Sequence, residues 1–462
     1  MNYSRKIIGF TALGMLCILS DRALAQSANA YRVFEPSETF DLKFSLLNRF
    51  DFLEGQFRKA NTGTSDQLFT SRFIVDGEYR NDSFQLNFEI ADTRQALADD
   101  GSPVNSRTNG ALDLQQLYAT WRWEDAFANG DDVQLQVGRQ TVNLEARRLV
   151  ARSISIEPTS FTGVALDYER ANGDQLKAFS YAPVLRFPNN RADIIDNKIE
   201  WNEESKGARF SGLFATLPNL LPNLSSQLYV FHLDEQDDGE EQYADLEIVT
   251  FGARVFKSAA VNQFDFDLQT AWQTGESRAS SNPLDTRDLD HQAAFYHLDV
   301  GYTFDMPLRT RMQLLLDYAT GDDDPADNEN NRFDALFGAR RAGFGQTSIY
   351  GPIWRTNLSS IGARATINFT PQLNLVVTLR DYDLASSKDS WGSTGWRDAT
   401  GQSGVELGQH LETRLRWSAI PGNLMVDTGL MWLDSGEFAE KVSLGTASSV
   451  SRFFYLQTLL SF

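Results

Sequence analysis

Six arginines alternate with apolar residues in short stretches of this chain. They are Arg49, Arg72, Arg122, Arg364, Arg380 and Arg414. Because successive side chains of a strand point to opposite faces, these guanidiniums lie on the face opposite to the apolar one. A guanidinium is permanently charged and its fork of donors matches carboxylate and phosphate. Six of them around a water-filled lumen would lower the barrier to an anion and exclude cations.

The same alternation leaves a second interpretation open. It also places carboxylates on the arginine face, namely Asp76, Glu78, Glu89, Asp167, Asp299, Asp317 and Glu412. Pairing between these groups would only neutralise a polar wall. Alternation fixes the face of a side chain but not its height along a pore, so the sequence does not decide between an anion-selective lumen and a neutralised one.

The segment from Val137 to Val150 concentrates further arginines where a strand leaves its sheet. Arg139, Arg147 and Arg148 lie within ten residues of one another. Strict alternation puts Arg139 on the lipid side, where an arginine near mid-membrane costs roughly 2–4 kcal/mol. We therefore expect either a bulge that turns Arg139 inward or a position at the rim.

An acidic run is the candidate for a metal site. Asp322, Asp323, Asp324 and Asp327 carry the oxygen ligands that Ca²⁺ prefers. The spacing does not fit an EF-hand, because Ala326 stands where a ligand is needed and no glycine follows. A solvated external loop is the simpler interpretation, so we predict no metal and no cofactor.

Composition argues against several other classes of protein. The formal charge of −20 leaves no basic footprint for nucleic acid. The single cysteine, Cys17, lies in the apolar N-terminal run, so thiol chemistry is not expected in the mature chain. Four histidines are present without a Gly-x-Ser-x-Gly elbow. We predict that the protein is not an enzyme.

Alternating apolar and polar residues recur through the chain in stretches of about ten residues. "FQLNFEI" from Phe84 shows the pattern, with Phe84, Leu86, Phe88 and Ile90 on one face. Eighteen such stretches are predicted strands: 40–49, 69–79, 84–92, 114–123, 133–140, 161–170, 174–182, 207–216, 226–234, 246–257, 262–273, 293–304, 311–319, 358–369, 372–382, 407–417, 424–433 and 451–462. An even number suits a closed barrel with both termini on one side.

The connections between these strands alternate in length. Short links fall near 80–83, 124–132, 171–173, 217–225, 258–261, 305–310, 370–371 and 418–423, and every intervening link is longer. Bacterial outer-membrane barrels have short periplasmic turns and long extracellular loops. The sequence therefore predicts an all-β fold, a transmembrane antiparallel β-barrel of about 18 strands, located in the cell outer membrane of a Gram-negative bacterium.

The two ends of the chain agree with export. Arg5 and Lys6 precede an apolar run that leads to Ala23-Leu24-Ala25, which predicts a signal peptide over 1–25. We expect an N-terminal periplasmic segment over 26–39 and the barrel over 40–462. The chain closes on an amphipathic strand with Phe462 at its end. We expect the barrel-assembly machinery to recognise that strand, and lipid and lipopolysaccharide to surround the barrel.

Several motifs together resemble the alginate export family of outer-membrane barrels. They are Gly138-Arg139-Gln140 with Arg148-Leu149-Val150, "GDDDPADNENNRFDALFG" from Gly321, "DYDLASSKDSWGSTGWRDATGQSGVELGQHLE" from Asp381, and the closing strands with Gly429 and Phe438. The resemblance covers about Tyr118 to Phe462 and is strongest after Asp317.

The resemblance implies a monomeric channel whose arginine-lined constriction passes a polyuronate out of the periplasm without consuming energy. The resemblance assigns the arginines of this constriction to Arg139 and Arg148 by their matching motif, and to Arg364 and Arg414 by their position on the strands. The family's alginate exporter has a long periplasmic loop that plugs the pore, whereas Ser418 to Asn423 predicts a tight turn here. The expected cargo is an alginate-type polysaccharide or a related anionic solute, and an uptake porin for small organic or anionic solutes is the alternative.

Overall fold

The computed structural model describes residues 31–462 apart from 60–63, 153–155, 238–241, 283 and 393. The predicted signal peptide over 1–25, together with residues 26–30, lies outside the described residues. The first described segment, 31–39, is held beside the short turn over 421–423, where the Tyr31 amide donates to Asn423 Oδ1 at 2.6 Å.

Eighteen antiparallel strands form the wall. They are β1 (Phe40–Glu54), β2 (Ser65–Arg80), β3 (Phe84–Ala96), β4 (Gly110–Trp123), β5 (Asp132–Gln140), β6 (Phe161–Glu169), β7 (Gln175–Leu185), β8 (Ala208–Leu221), β9 (Leu224–Glu235), β10 (Leu246–Lys257), β11 (Phe264–Arg278), β12 (Asp288–Thr303), β13 (Arg311–Ala319), β14 (Leu358–Thr370), β15 (Leu373–Asp383), β16 (Glu406–Ile420), β17 (Leu424–Ser435) and β18 (Val450–Ser461). The last strand pairs with the first from Ser45↔Ser461 to Glu54↔Arg452, which closes the barrel. The predicted fold and strand number are confirmed.

Each strand turns an apolar face outward, as β13 illustrates. Met312, Leu314, Leu316 and Tyr318 are exposed on the outer surface, while Gln313, Leu315 and Asp317 are buried on the inner one. In a membrane the outer set contacts lipid, and all backbone groups between neighbouring strands are paired. The period of two therefore identifies the outward face of each strand directly.

The two ends of the barrel differ in their connections, as predicted. Turns of two to eight residues join strands at one end, and loops of nine to thirty-eight residues join them at the other. The predicted tight turn after β16 spans 421–423, where the Asn423 amide donates to the Ile420 carbonyl at 2.9 Å. We call the two ends the turn end and the loop end.

The loops contain little regular structure. Short helices occur at Arg191–Ile195 (α1), Arg341–Phe344 (α2) and Glu437–Ser443 (α3), and two-residue strands occur at Glu203–Glu204, Glu329–Asn330, Ser390–Trp391 and Trp396–Arg397. Among the described helices, none has the length and apolar character needed to cross a membrane.

The lumen near the loop end differs from the expected polar channel. Phe161, Phe210 and Phe231 point inward and are fully buried. Phe337, from the longest loop (320–357), inserts between them, with its ring centroid 5.0 Å from those of Phe161 and Phe210. Loops therefore fold into the barrel and pack against apolar inward residues, which narrows the lumen that eighteen strands would otherwise leave open.

Candidate functional site

The inward-folding loops leave a cavity of about 810 Å³ between themselves and the wall. Among the described residues, seven arginines line it, and Glu235 is the single carboxylate. The arginines are Arg49, Arg58, Arg107, Arg186, Arg191, Arg340 and Arg341. Its surface thus carries a large excess of positive charge in a chain whose overall charge is −20.

The cavity reaches from the loop end deep into the barrel. Its deepest wall residues are Leu47 and Arg49 of β1, with Gln457 of β18 beside them. Arg49 lies five residues before the end of β1 at Glu54, which is roughly 17 Å along the strand at 3.3 Å per residue. A solute that enters from the loop end would therefore meet arginines along much of its path.

Arg340 and Arg107 hold the least compensated charges of the cavity. The Arg340 Cζ lies 3.6 Å from the centroid of the Trp354 ring, and the Arg107 Cζ lies 5.7 Å from it. The Arg340 Nε is buried without a hydrogen-bond partner among the described residues. Burial, together with the charges of Arg107 and Arg58, lowers the pKa of Arg340. An anion at this point would relieve both the lost hydration and the repulsion.

Three other cavity arginines are held by neutral oxygens. Arg58 Nη1 donates to the Ile349 carbonyl at 2.9 Å. Arg186 donates to the Pro158 carbonyl and to Thr159 Oγ1, and Arg191 donates to the Ser102 and Asp99 carbonyls. Carbonyl and hydroxyl oxygens satisfy the donors without cancelling the charge, so these side chains are fixed in place and stay cationic.

The deepest part of the site contains one shared carboxylate. Asp427 of β17 accepts from Arg414 Nε at 3.0 Å and from the Tyr455 hydroxyl at 2.7 Å. Arg341 Nη2 lies 3.3 Å and Arg416 Nε 3.7 Å from the same carboxylate. Three guanidiniums thus share one buried carboxylate, and a second buried carboxyl, Glu412, lies close enough to interact with Arg414 and Arg341.

Half of the predicted wall arginines are paired with carboxylates. Arg49 contacts Asp51 at 2.8 Å, and Arg380 contacts Asp317 at 2.9 Å. Together with the Arg414–Asp427 contact, these ion pairs match the neutralised-wall interpretation for three of the six. The remaining three face the lumen with neutral partners: Arg72 donates to the Ile156 carbonyl, Arg364 to Thr378 Oγ1, and Arg122 lies beside the Gln134 amide at the turn end.

Arg148 lies inside the barrel and Arg139 does not. Arg148 Nη2 contacts Asp267 Oδ2 at 2.7 Å, which fastens the loop over 141–160 to β11. Arg139 pairs in register with Leu117 and Thr162 on the outward face, at the loop end of β5, and contacts Glu204 at 2.7 Å. The rim position was one of the two expected outcomes, and the assignment of Arg139 to the pore lining is corrected because its strand keeps strict alternation.

The acidic run lies in the long loop, where two of its carboxylates lie near positively charged side chains. Arg397 lies 3.5 Å from Asp322, and Lys388 lies 4.0 Å from Asp324. The described residues, Asp323 and Asp327 included, contain no group of three or more side chains that could hold a metal ion.

Six of the seven cavity arginines were missed from the sequence, because they lie in loops where alternation does not apply. One signal was available. Arg340 and Arg341 stand in "ALFGARRAGFG", and Arg186 stands in "APVLRFP", so both segments surround arginine with apolar residues and no carboxylate. A solvated loop would not need that composition.

Comparisons with known proteins agree with a channel. The family model for alginate export matches residues 40–450. No curated protein sequence matches the chain. Three Pseudomonas aeruginosa structures share the fold: OprD (16% identity, 92% of this chain and 93% of that one, TM-score 0.55), OccK2 (OpdF) in complex with glucuronate (15%, 91% and 98%, 0.55) and OpdK with vanillate (13%, 91% and 98%, 0.57).

Proposed function

This chain belongs to the alginate export family, and we propose that it is a passive outer-membrane channel selective for carboxylate-bearing solutes. The family and the fold are those of channels rather than of enzymes. The turn end is assigned to the periplasm and the loop end to the exterior, as in other barrels of this type. Contact of the outer face with lipid and lipopolysaccharide, assembly through the last strand and a monomeric state remain predictions.

One observation carries the proposal: among the residues that the structure describes, the cavity in the lumen is lined by seven arginines and one glutamate. A solute confined there is shielded from bulk water, so the fixed charges act on it more strongly than at a free surface. An anion gains favourable interactions along the cavity and a cation is repelled. Diffusion down a gradient needs no cofactor or energy source.

The dimensions of the cavity favour small solutes. About 810 Å³ lies within the range of roughly 300–1,000 Å³ that small-molecule sites occupy. A monocarboxylate or dicarboxylate of a few carbon atoms up to the size of a single sugar acid fits this space without movement of the loops.

Passage of an alginate-type polyuronate is the second candidate. The family match favours it, and one structural neighbour was solved with glucuronate, which belongs to the uronates, the class of sugar acid from which such polymers are built. A polymer would require displacement of the loop over 320–357, because Phe337 and α2 narrow the lumen. Direction of transport follows whichever gradient the cell maintains.

Swelling of proteoliposomes tests the proposal. Vesicles that contain the protein are transferred to isotonic glucuronate, glucose or glucosamine, which match in size and differ in charge. We expect the fastest swelling with the anion and the slowest with the cation. Equal rates for the three solutes, or faster entry of glucosamine, would contradict carboxylate selectivity.

A further inference from the structure

We infer that Arg107, Trp354 and Arg340 form the principal binding position of the cavity, and that it takes a carboxylate carried on a flat apolar body, an arene carboxylate, in preference to a sugar acid. The inference rests on the proposed function, because it names the solute class that the same cavity prefers.

Arg107 and Arg340 differ from the other arginines of the cavity, which are either in contact with a carboxylate or bonded to neutral oxygens. Arg49 is paired with Asp51, and Arg341 contacts Asp427. Among the described residues, neither Arg107 nor Arg340 forms an ion pair with a carboxylate, and their guanidinium carbons lie 5.7 and 3.6 Å from the Trp354 ring centroid. The carboxylate of a bound solute therefore gains more binding free energy here than beside an arginine that already has a counter-charge.

The position is also held in place before a solute arrives. Trp354 stands between Ile353 and Arg355, which are both 2% exposed. Arg355 Nη1 donates to the Arg148 carbonyl at 3.0 Å, and its Cζ lies 4.8 Å from the centroid of the Phe344 ring. Since both neighbours are buried, the indole and the guanidinium stacked on it lose little freedom when a solute binds.

The other residues that line the cavity favour one type of solute skeleton, the part of the solute that carries the carboxylate. Ile156, Val184, Leu336 and Phe337 contribute apolar surface, and Glu235 is the single carboxylate in the described part of the lining. The hydroxyls of a sugar acid need acceptors as well as donors, and those left without partners carry a desolvation cost. An aromatic ring has no such requirement, and it packs favourably against apolar side chains and guanidinium faces.

Block of single-channel current by benzoate and by glucuronate tests this inference on the full-length protein in planar bilayers. We expect half-block by benzoate at a concentration at least about tenfold below that for glucuronate. Arg340→Gln and Arg107→Gln should each raise the half-blocking benzoate concentration by about tenfold. Arg340→Lys should give a smaller change, since it keeps the charge and loses the stacked fork.

Arg452→Gln is the matched control, because it removes one positive charge from an exposed outward position paired with Glu54. It should leave both half-blocking concentrations unchanged. Equal or stronger block by glucuronate, or an Arg340→Gln channel with the benzoate block of the control, would overturn the inference. If the wild-type channel is anion-selective in a salt gradient, such a result removes this binding position alone; if it is not, the proposed function fails too.

Discussion

Arg341, on the longest loop, lies 3.3 Å from Asp427 on the barrel wall, so one ion pair joins the element that narrows the lumen to the strand behind it. Asp427 is fully buried and also accepts from Arg414 and Tyr455. This carboxylate therefore has two effects: it anchors the loop and it offsets part of the arginine charge.

Replacing Asp427 separates these effects. Asp427→Asn keeps the shape and removes the charge, so we expect stronger anion selectivity from the uncovered guanidiniums. We also expect a loss of roughly 3–5 kcal/mol in the free energy of unfolding, the usual cost of leaving a buried ion partner unpaired. The reversal potential measures the selectivity, and the Tm measures the stability. Glu54→Gln, whose exposed pair with Arg452 is worth about 0–1 kcal/mol, is the control. Unchanged selectivity in Asp427→Asn would contradict the assigned role of this charge.

A variant of Arg139 tests whether this side chain lies on the outward face of the barrel or in the conduction path. Arg139→Gln removes an arginine of the motif that resembles the alginate exporters, but the side chain lies on the outward face in contact with Glu204. We expect the reversal potential in a salt gradient to stay at the wild-type value. A shift as large as that of Arg340→Gln would show that Arg139 faces the conduction path after all.

Phe337 tests whether loop packing limits conduction. Phe337→Ala removes a ring whose centroid lies 5.0 Å from those of Phe161 and Phe210. The lost packing should cost about 3 kcal/mol or less, since Phe337 is only partly buried. We expect higher single-channel conductance and weaker selectivity. Phe127→Ala, at a 65% exposed position in a turn, serves as the comparison. Conductance equal to that of Phe127→Ala would mean that the loop does not narrow the path.

Glu157 predicts a pH dependence of stability. Burial raises the pKa of this loop carboxyl to about 7, although Arg72 and Arg186 oppose the shift. The folded state then holds a proton that the unfolded chain releases, so stability is greatest below the unfolded pKa and falls as the pH rises through about 7. Glu157→Gln should raise Tm relative to wild type at about pH 8 and have little effect at about pH 4. The same Tm difference at both values would refute this assignment.

The strands could be predicted because the membrane imposes a simple pattern. The outer face of every strand is the one predicted to meet lipid, so exposed apolar residues such as Leu314 and Leu316 recur at a period of two whatever the lumen contains. The predicted strands often ended early at the loop end: β1 continues from the predicted residue 49 to Glu54, and β12 begins at Asp288 rather than 293. In those extensions the inner face also becomes apolar where loops pack against it, as at Leu53 and Leu289, and the outer face of the β12 extension is polar, with Asp288 and Asp290, so the alternation fades.

The candidate site was only partly predictable. Alternation identified Arg49 as inward-facing, and it does line the cavity. It also puts Asp51 on the same face as Arg49, two residues along the same strand, but the prediction did not include this pair, which the structure shows with Arg49 Nε donating to Asp51 at 2.8 Å. The uncompensated arginines, such as Arg107 and Arg340, come from loops whose path depends on tertiary packing. No local period marks such residues.

The reversal potential of the purified channel in a planar bilayer under a potassium chloride gradient tests the central claim most directly. The arginine-lined cavity predicts a potential of the sign that chloride permeation gives, and one that moves toward zero when Arg340 and Arg107 are both replaced by glutamine. A wild-type potential of the opposite sign, or one near zero, would contradict an anion-selective channel.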